Sequence, residues 1–329
     1  MKIRNGFRIG WVLGVLAVSG CGSNEGYLFR RVEAPSKKSD VSHKLKQLQG
    51  NTLVDILWVI DNSGSMGTHQ QNVIHNTQIF TDQFVQGGNP LNWKMGLVST
   101  DTDDAPYVGF GASSQLNSQT PDAALVFQGA VGRLGDTGSY VEEGFKPVLQ
   151  ALRDYPGFLR PRANLAIIFV TDAKEQGRLP LKSVLSELAQ LKPLSEVVSY
   201  GIFWTTDLGC GPNSEDDWIL QGSRYGDFIA ETKGKAYPLC ARNFGSNLAD
   251  LGKDLVSRIT SPKLFLETVP RTSTLQVLYK DKPVPSGLPG SGGYWYFDQG
   301  LNAIVFHDMS FAPGEDESVR VVYDEDNGQ

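Results

Sequence analysis

From Thr52 the chain alternates short, continuous apolar runs with stretches of helical periodicity. Val54-Asp55-Ile56-Leu57-Trp58-Val59-Ile60 is β-branched and almost wholly apolar, which predicts a strand buried on both faces. Gln71 to Gln86 places Val73, Ile74, Ile79, Phe80, Phe84 and Val85 at helical spacing. Trp93–Thr100, Leu165–Val170 and Glu196–Trp204 read as further strands, and Lys235–Leu239 as a short one. Val141–Leu152, Leu181–Leu191, Trp218–Thr232 and Asn247–Ile259 read as helices, the first bent at Pro147 and the third stopped by Gly234. This alternation predicts an α/β fold: a doubly wound, mostly parallel sheet with helices on both faces. Beyond Pro262 the pattern changes. Leu264–Thr268, Leu275–Tyr279, Tyr294–Phe297, Ala303–Phe306 and Val319–Tyr323 are β-rich, with Gly and Pro between them. They predict a small antiparallel β module without a helix.

The first residues have a different character. Lys2, Arg4 and Arg8 precede an apolar stretch, Ile9 to Val18, that is too short to span a bilayer. It runs into Val18-Ser19-Gly20-Cys21. Small residues leading directly into a cysteine resemble the lipobox of bacterial lipoproteins. The resemblance implies that residues 1–20 are a lipoprotein signal peptide and that Cys21 carries lipid. Gly22, where an Asp would imply inner-membrane retention, then implies the outer rather than the inner membrane of the cell envelope. The plainer reading is an ordinary signal peptide that contains a cysteine. Residues 21–50 lack apolar periodicity and carry Ser, Gly, Pro and several Lys and Arg, so they read as a lipidated terminus and flexible tether.

The 329 residues are 40% hydrophobic and 20% charged, which supplies a substantial core and argues against wholesale disorder and a multi-span membrane protein. A formal net charge of −6 without a long basic stripe argues against a nucleic-acid partner. The 3 cysteines exclude a disulfide-dense scaffold and a four-cysteine zinc site. With Cys21 assigned to lipid, Cys210 and Cys240 remain. In an exported protein they suggest one disulfide, against the alternative of two buried thiols.

The first buried strand ends in Asp61-Asn62-Ser63-Gly64-Ser65. A carboxylate and two hydroxyls on one tight turn direct hard oxygens to one place, the ligand type that Mg²⁺ prefers. Thr137 lies in Gly135-Asp136-Thr137-Gly138-Ser139, ahead of the helix expected from Val141. Asp172 follows the strand that ends in Val170-Thr171. This D-x-S-x-S run, followed in order by a threonine and a strand-terminal aspartate, resembles the metal-ion-dependent adhesion site of von Willebrand factor A (VWA) domains. The resemblance covers residues 51–260 and leaves 261–329 as the β module. It implies a divalent cation, Mg²⁺ ahead of Mn²⁺ or Ca²⁺, held by Asp61, Ser63, Ser65, Thr137 and Asp172. Ser139 takes the place of Thr137 if the loop aligns two residues later. It further implies a protein partner whose acidic side chain completes the ion's coordination. The implied strand order makes the last two strands parallel neighbours, which brings Cys210 and Cys240 together at the face that carries the metal.

Two departures stand out. Ala173-Lys174-Glu175 follows the second aspartate where the family commonly has glycine, and Asp136 adjoins the threonine. Each site residue also has a plainer role. Asp61 and Ser63 could cap the following helix, and Thr137 the next one. Asp101, Asp103 and Asp104 read as a solvated loop, and Glu142-Glu143 and Asp216-Asp217 as exposed acidic pairs. The histidines His43, His69, His75 and His307 do not assemble into a zinc pair. Neither a G-x-S-x-G elbow nor a phosphate-binding Walker loop occurs.

The expected protein is therefore not an enzyme. It is a membrane-tethered, cation-dependent protein-binding module. The rival readings are a metal-dependent hydrolase or phosphatase, which lacks a visible nucleophile or base, and a purely structural envelope lipoprotein.

Overall fold

The computed structural model describes residues 37–45, 48, 52–84, 91–101, 110, 115–155, 157–212, 218–312 and 317–326. The signal peptide, Cys21, Asp103, Asp104, Asp216 and Asp217 lie outside the described residues. Among the described residues no helix is long and apolar enough to cross a membrane.

The central sheet has six strands: β2 (Leu53–Ile60), β3 (Asn92–Ser99), β4 (Leu116–Asn117), β5 (Asn164–Thr171), β6 (Val197–Phe203) and β7 (Lys235–Pro238). Their spatial order is β4-β3-β2-β5-β6-β7. All neighbours are parallel except β4, which runs antiparallel to β3. The order reverses direction at β2, whose flanks are β3 and β5. In such sheets the crevice beyond the strand carboxyl ends at this switch point is where ligands bind.

Side-chain alternation explains the layers. Val54, Ile56, Trp58 and Ile60 face a core that holds Val73 and Phe80 of α1 (Gly67–Asp82), Phe127 and Val131 of α2 (Ala123–Leu134), and Leu248, Leu251 and Leu255 of α6 (Phe244–Thr260). Leu57 and Val59 face the opposite core. There they meet Phe145, Val148 and Leu149 of α3 (Phe145–Asp154), Val184 and Leu188 of α4 (Leu181–Leu191), and Phe228 and Ile229 of α5 (Arg224–Glu231). A strand with both faces covered must be apolar throughout, and each fully buried aliphatic or aromatic side chain contributes roughly 1.5–3 kcal/mol. Asp55 is the exception within β2. It is fully buried and accepts 2.7 Å hydrogen bonds from Arg160 N and Nε at the end of the sheet away from the switch point.

Several elements differ from the sequence expectation. α1 begins at Gly67 rather than Gln71, because the turn Gly64–Met66 runs straight into it. α3 begins only at Phe145, so Pro147 sits in its first turn and does not bend it. A missing amide N–H costs nothing at that position. Gly144 precedes α3 because a Cβ there would stand 2.2 Å from the Tyr225 hydroxyl.

The larger correction concerns the tether. Lys38–Lys44, inside the segment expected to be a flexible linker, forms strand β1. It pairs antiparallel with β13 (Ser318–Asp324) along its whole length, from Lys38↔Asp324 to Lys44↔Ser318. β1 is polar and mostly exposed, so no apolar pattern announces it; the open edge of β13 makes it a strand by pairing backbone with backbone. Leu45 and Leu48 follow into the core of the β module. That module comprises a four-stranded antiparallel sheet, β1-β13-β9-β10, with β9 at Gln276–Tyr279 and β10 at Lys282–Pro283. A second antiparallel sheet, β11-β12-β8, contains Trp295–Asp298, Ala303–Phe306 and Lys263–Phe265. Leu264, Val277, Trp295, Ile304, Phe306 and Val321 form their shared core. The module is therefore built from chain on both sides of the α/β domain.

Candidate metal centre

Register sets the site. Ile60 lies opposite Ser99 on β3 and Val170 on β5, so the three central strands end level. Asp61 after β2, Thr100 and Asp101 after β3, and Asp172 after Thr171 at the end of β5 emerge side by side at the switch point.

Asp61 is fully buried, and both of its carboxylate oxygens are engaged. Ser63 N donates to Oδ1 at 2.8 Å, and the Thr171 hydroxyl donates to Oδ2 at 2.6 Å. The Ser63 and Ser65 hydroxyl oxygens stand 3.2 Å apart. Neither the Gly64–Met66 turn nor α1 has a side-chain cap, which removes the plain capping role for Ser63. Gln70 of α1 fixes the loop from beneath, donating to the Asp61 carbonyl at 2.9 Å and the Gly135 carbonyl at 2.8 Å. Asp172 is 4% exposed, and its carbonyl accepts a 3.0 Å bond from the Trp218 indole.

The loop from Gly135 to Ser139 docks on this turn, with Gly138 N donating to the Asn62 carbonyl at 2.8 Å. Thr137 itself is exposed. The Ser139 hydroxyl accepts from Val141 N at 3.0 Å, and Ser139 N donates to Asp101 Oδ2 at 3.0 Å. Asp101 is thus a buried brace for this loop, not part of a solvated loop as expected.

Sequence reasoning missed Glu142, expected on an exposed face. It is 2% exposed. Its Oε2 accepts from the Thr100 hydroxyl, and its backbone carbonyl accepts from Gln176 N at 2.8 Å. Its Oε1 is buried against the Asp61 carboxylate and meets no N–H or hydroxyl donor. Burial first, then the Asp61 carboxylate beside it, pushes the Glu142 carboxyl up to about 9. Burial also raises Asp61, with Asp172 adding to it against the hydrogen bonds from Thr171 and Ser63. Only the depth of the 137–144 crossing over the sheet reveals Glu142, and an adjacent acidic pair in sequence carries no signal of that.

Glu175 is buried too. It accepts from Gly144 N at 2.5 Å and Phe145 N at 3.3 Å, at the start of α3, with Arg224 Nη2 at 4.0 Å. An anion there complements the helix dipole. His69, half-buried on α1, packs its ring against Trp204, with centroids 5.1 Å apart and the planes tilted by 57°. Burial lowers its pKa while Asp172 acts in the opposite sense.

Cys210 and Cys240 form a disulfide, with Cα atoms 5.7 Å apart. It joins the loop after β6 to the residue just beyond β7, two strands that are parallel neighbours. Thr206 N reaches the Trp218 carbonyl at 3.5 Å, and Trp218 in turn holds Asp172, so the bridged loop abuts the site.

Among the described residues no three His, Cys, Asp or Glu side chains form a ready-made metal cage. Any ion here must draw on hydroxyl oxygens. The donor set fits that demand: buried carboxylates, two adjacent serine hydroxyls and an unpartnered carboxyl oxygen are all hard ligands suited to Mg²⁺, Mn²⁺ or Ca²⁺.

No family model matches the chain, and no curated protein matches it. Among solved structures, two crystal forms of proximal thread matrix protein 1 from the mussel byssus are similar over 66% of this chain, at 13% and 12% identity and TM-scores of 0.41 and 0.39. A third structure of that mussel protein, described as having a zinc-occupied MIDAS motif, is similar over 68% at 12% identity and a TM-score of 0.41. The chain spans about half the length of these structures. Likeness at this level carries no functional argument, and the site stands on its own geometry.

Proposed function

We propose that this protein is a bacterial lipoprotein held at the cell envelope, in the outer membrane, through lipid on Cys21. Its VWA-type domain binds a protein partner at a divalent-cation adhesion site and catalyses no reaction. The observation that carries this reading is the convergence of Asp61, Ser63, Ser65 and Asp172 at the switch point of the sheet. Asp61 and Asp172 supply charge, and Ser63 and Ser65 supply neutral oxygens. Thr137 lies on the adjoining loop. When bound, Mg²⁺ would supply a hard Lewis-acidic point at the surface that accepts one acidic side chain from a partner.

The surroundings suit a protein ligand. Tyr140 is 82% exposed, Val141 is exposed beside it, and Ile219 is exposed next to Trp218. Exposed aromatic and aliphatic groups next to a polar anchor are common in protein interfaces. Lipid on Cys21 would keep the protein at the membrane, since more than one acyl chain anchors stably.

The test is a pull-down from envelope extract with the full chain, with and without chelator, beside a phosphatase substrate screen. Chelator-sensitive capture that Asp61→Ala abolishes supports adhesion. Metal-dependent turnover in the screen would establish the hydrolase reading instead. Wild-type export and envelope integrity in Asp61→Ala, with no cation-dependent capture by either protein, would favour a structural lipoprotein.

A further inference from the structure

We propose that Glu142, rather than Thr137, joins Asp61, Ser63, Ser65 and Asp172 in holding the cation, so that the chain itself supplies a negative charge a partner would otherwise have to bring. This inference rests on the reading that the site takes a divalent cation.

Three observations support it. Thr137 is exposed, and its loop touches the Asp61 turn through backbone, Gly138 N to the Asn62 carbonyl at 2.8 Å. Glu142 is 2% exposed and lies deeper, where the chain crosses the strand ends before α3. Its placement is fixed from two sides: the Thr100 hydroxyl, just after β3, holds Oε2, and Gln176 N, on the loop after Asp172, holds its backbone carbonyl. These bonds leave Oε1 buried, without a donor, and facing the Asp61 carboxylate. An unpaired carboxylate oxygen taken out of water carries a substantial desolvation cost unless a proton or a cation meets it.

Charge separates the two assignments. With a threonine in that position, Asp61 and Asp172 would balance a divalent ion, and an incoming carboxylate would be the first excess negative charge. With Glu142 as a ligand, its carboxylate supplies that excess from within the chain once the ion is bound. The ion is then held before a partner arrives, and the partner's contribution shifts from retaining the ion to reading the surface around it. Ser63 and Ser65 keep their places, and Asp61 remains the residue that orders the turn through Ser63 N and Thr171.

A purely structural Glu142, there only to link Thr100 to the loop, predicts something different. Removing its charge would then weaken the metal-free protein and leave cation affinity alone. The experiment is calorimetric titration of the full-length chain in detergent with Mn²⁺ alone, for wild type, Glu142→Gln and Thr137→Ala, with thermal melts of each in chelator. The expected result is a loss of at least about ten-fold in Mn²⁺ affinity for Glu142→Gln, of the size seen when metal-site groups are removed. Thr137→Ala should stay within about two-fold, because an exposed hydroxyl off the site contributes little. In chelator, Glu142→Gln should melt close to the wild-type temperature, because glutamine fills the same buried space beside Thr100 and Asp61. Wild-type affinity in Glu142→Gln, or a ten-fold loss in Thr137→Ala, would overturn the assignment while leaving the cation site standing. A Glu142→Gln melt well below wild type in chelator, with affinity intact, would establish the structural role. Absence of Mn²⁺ binding by the wild type would overturn both this inference and the reading beneath it.

Discussion

Removing the Cys210–Cys240 bridge tests how the binding face is fastened. The two cysteines are 30 residues apart in sequence, with Cα atoms 5.7 Å apart. In the native state the segment ends are held near one another without the bridge. Leu239 N donates to the Phe203 carbonyl at 2.9 Å, and β6 and β7 pair in register at Phe203↔Pro238. A double Cys210→Ala, Cys240→Ala variant should therefore keep the fold, and its loss should arise mainly in the unfolded chain. Closing a loop of that length restricts the unfolded state by about 3.6 kcal/mol at 25 °C. For an m-value of about 3 kcal/mol/M, that is a fall of about 1.2 M in the urea midpoint. The assay is urea unfolding followed by tryptophan fluorescence and circular dichroism together, in a background with Trp58, Trp93 and Trp295 replaced by Phe so that Trp204 and Trp218 report the bridged loop while the dichroism reports the whole domain. A midpoint shift below about 0.3 M with unchanged slope would refute the chain-entropy argument. Loss of the Trp signal at much lower urea than the dichroism would show that the bridge instead holds a loop that opens on its own.

Two further consequences concern stability. Arg160→Ala leaves Asp55 buried without its guanidinium and should cost about 3–5 kcal/mol, measured as the unfolding free energy; a loss under about 1 kcal/mol would mean that the pair contributes only as a surface bridge does. Asp254 is pushed up by burial, but Lys235, Arg258 and Tyr200 outweigh that and hold its carboxyl below the usual value of 3.8. Its contribution is therefore complete above pH 3.8 and is lost as pH falls through the lower folded value. The stability gap between wild type and Asp254→Asn should be flat at neutral pH and close in acid; a gap that widens as pH falls would contradict the sign.

The sheet was legible because burial on both faces leaves so little freedom. Leu165–Val170 and Val54–Ile60 admit few readings other than covered parallel strands, and Leu181–Leu191 and Ala303–Phe306 match the observed elements to the residue. α2 carried a weaker signal. Gly129 and Gly132 lower its helix propensity, and its apolar residues do not keep to one stripe, so the segment suggests no single element. β1 was illegible for another reason: a polar edge strand exists through its partner, and its own side chains do not encode the pairing. The Asp61–Ser63–Ser65 turn and Asp172 were readable because chemistry-bearing residues directly follow buried strands. Glu142 was not, because only the path of the chain over the strand ends decides which member of Glu142-Glu143 turns inward. The same path carries Thr137 to the surface.

Cation binding at the β2–β5 switch point is the claim on which the rest depends. Calorimetric titration of the full-length chain with Mg²⁺, for wild type and Asp61→Ala at matched far-ultraviolet dichroism, addresses it most directly. Asp61 lies at the proposed cation site and is not part of the apolar core, so the variant should fold. The account predicts a single saturable Mg²⁺ site in the wild type and a loss of at least about ten-fold in Asp61→Ala. Equal Mg²⁺ affinity in the two proteins, or no heat of binding in the wild type, would contradict it.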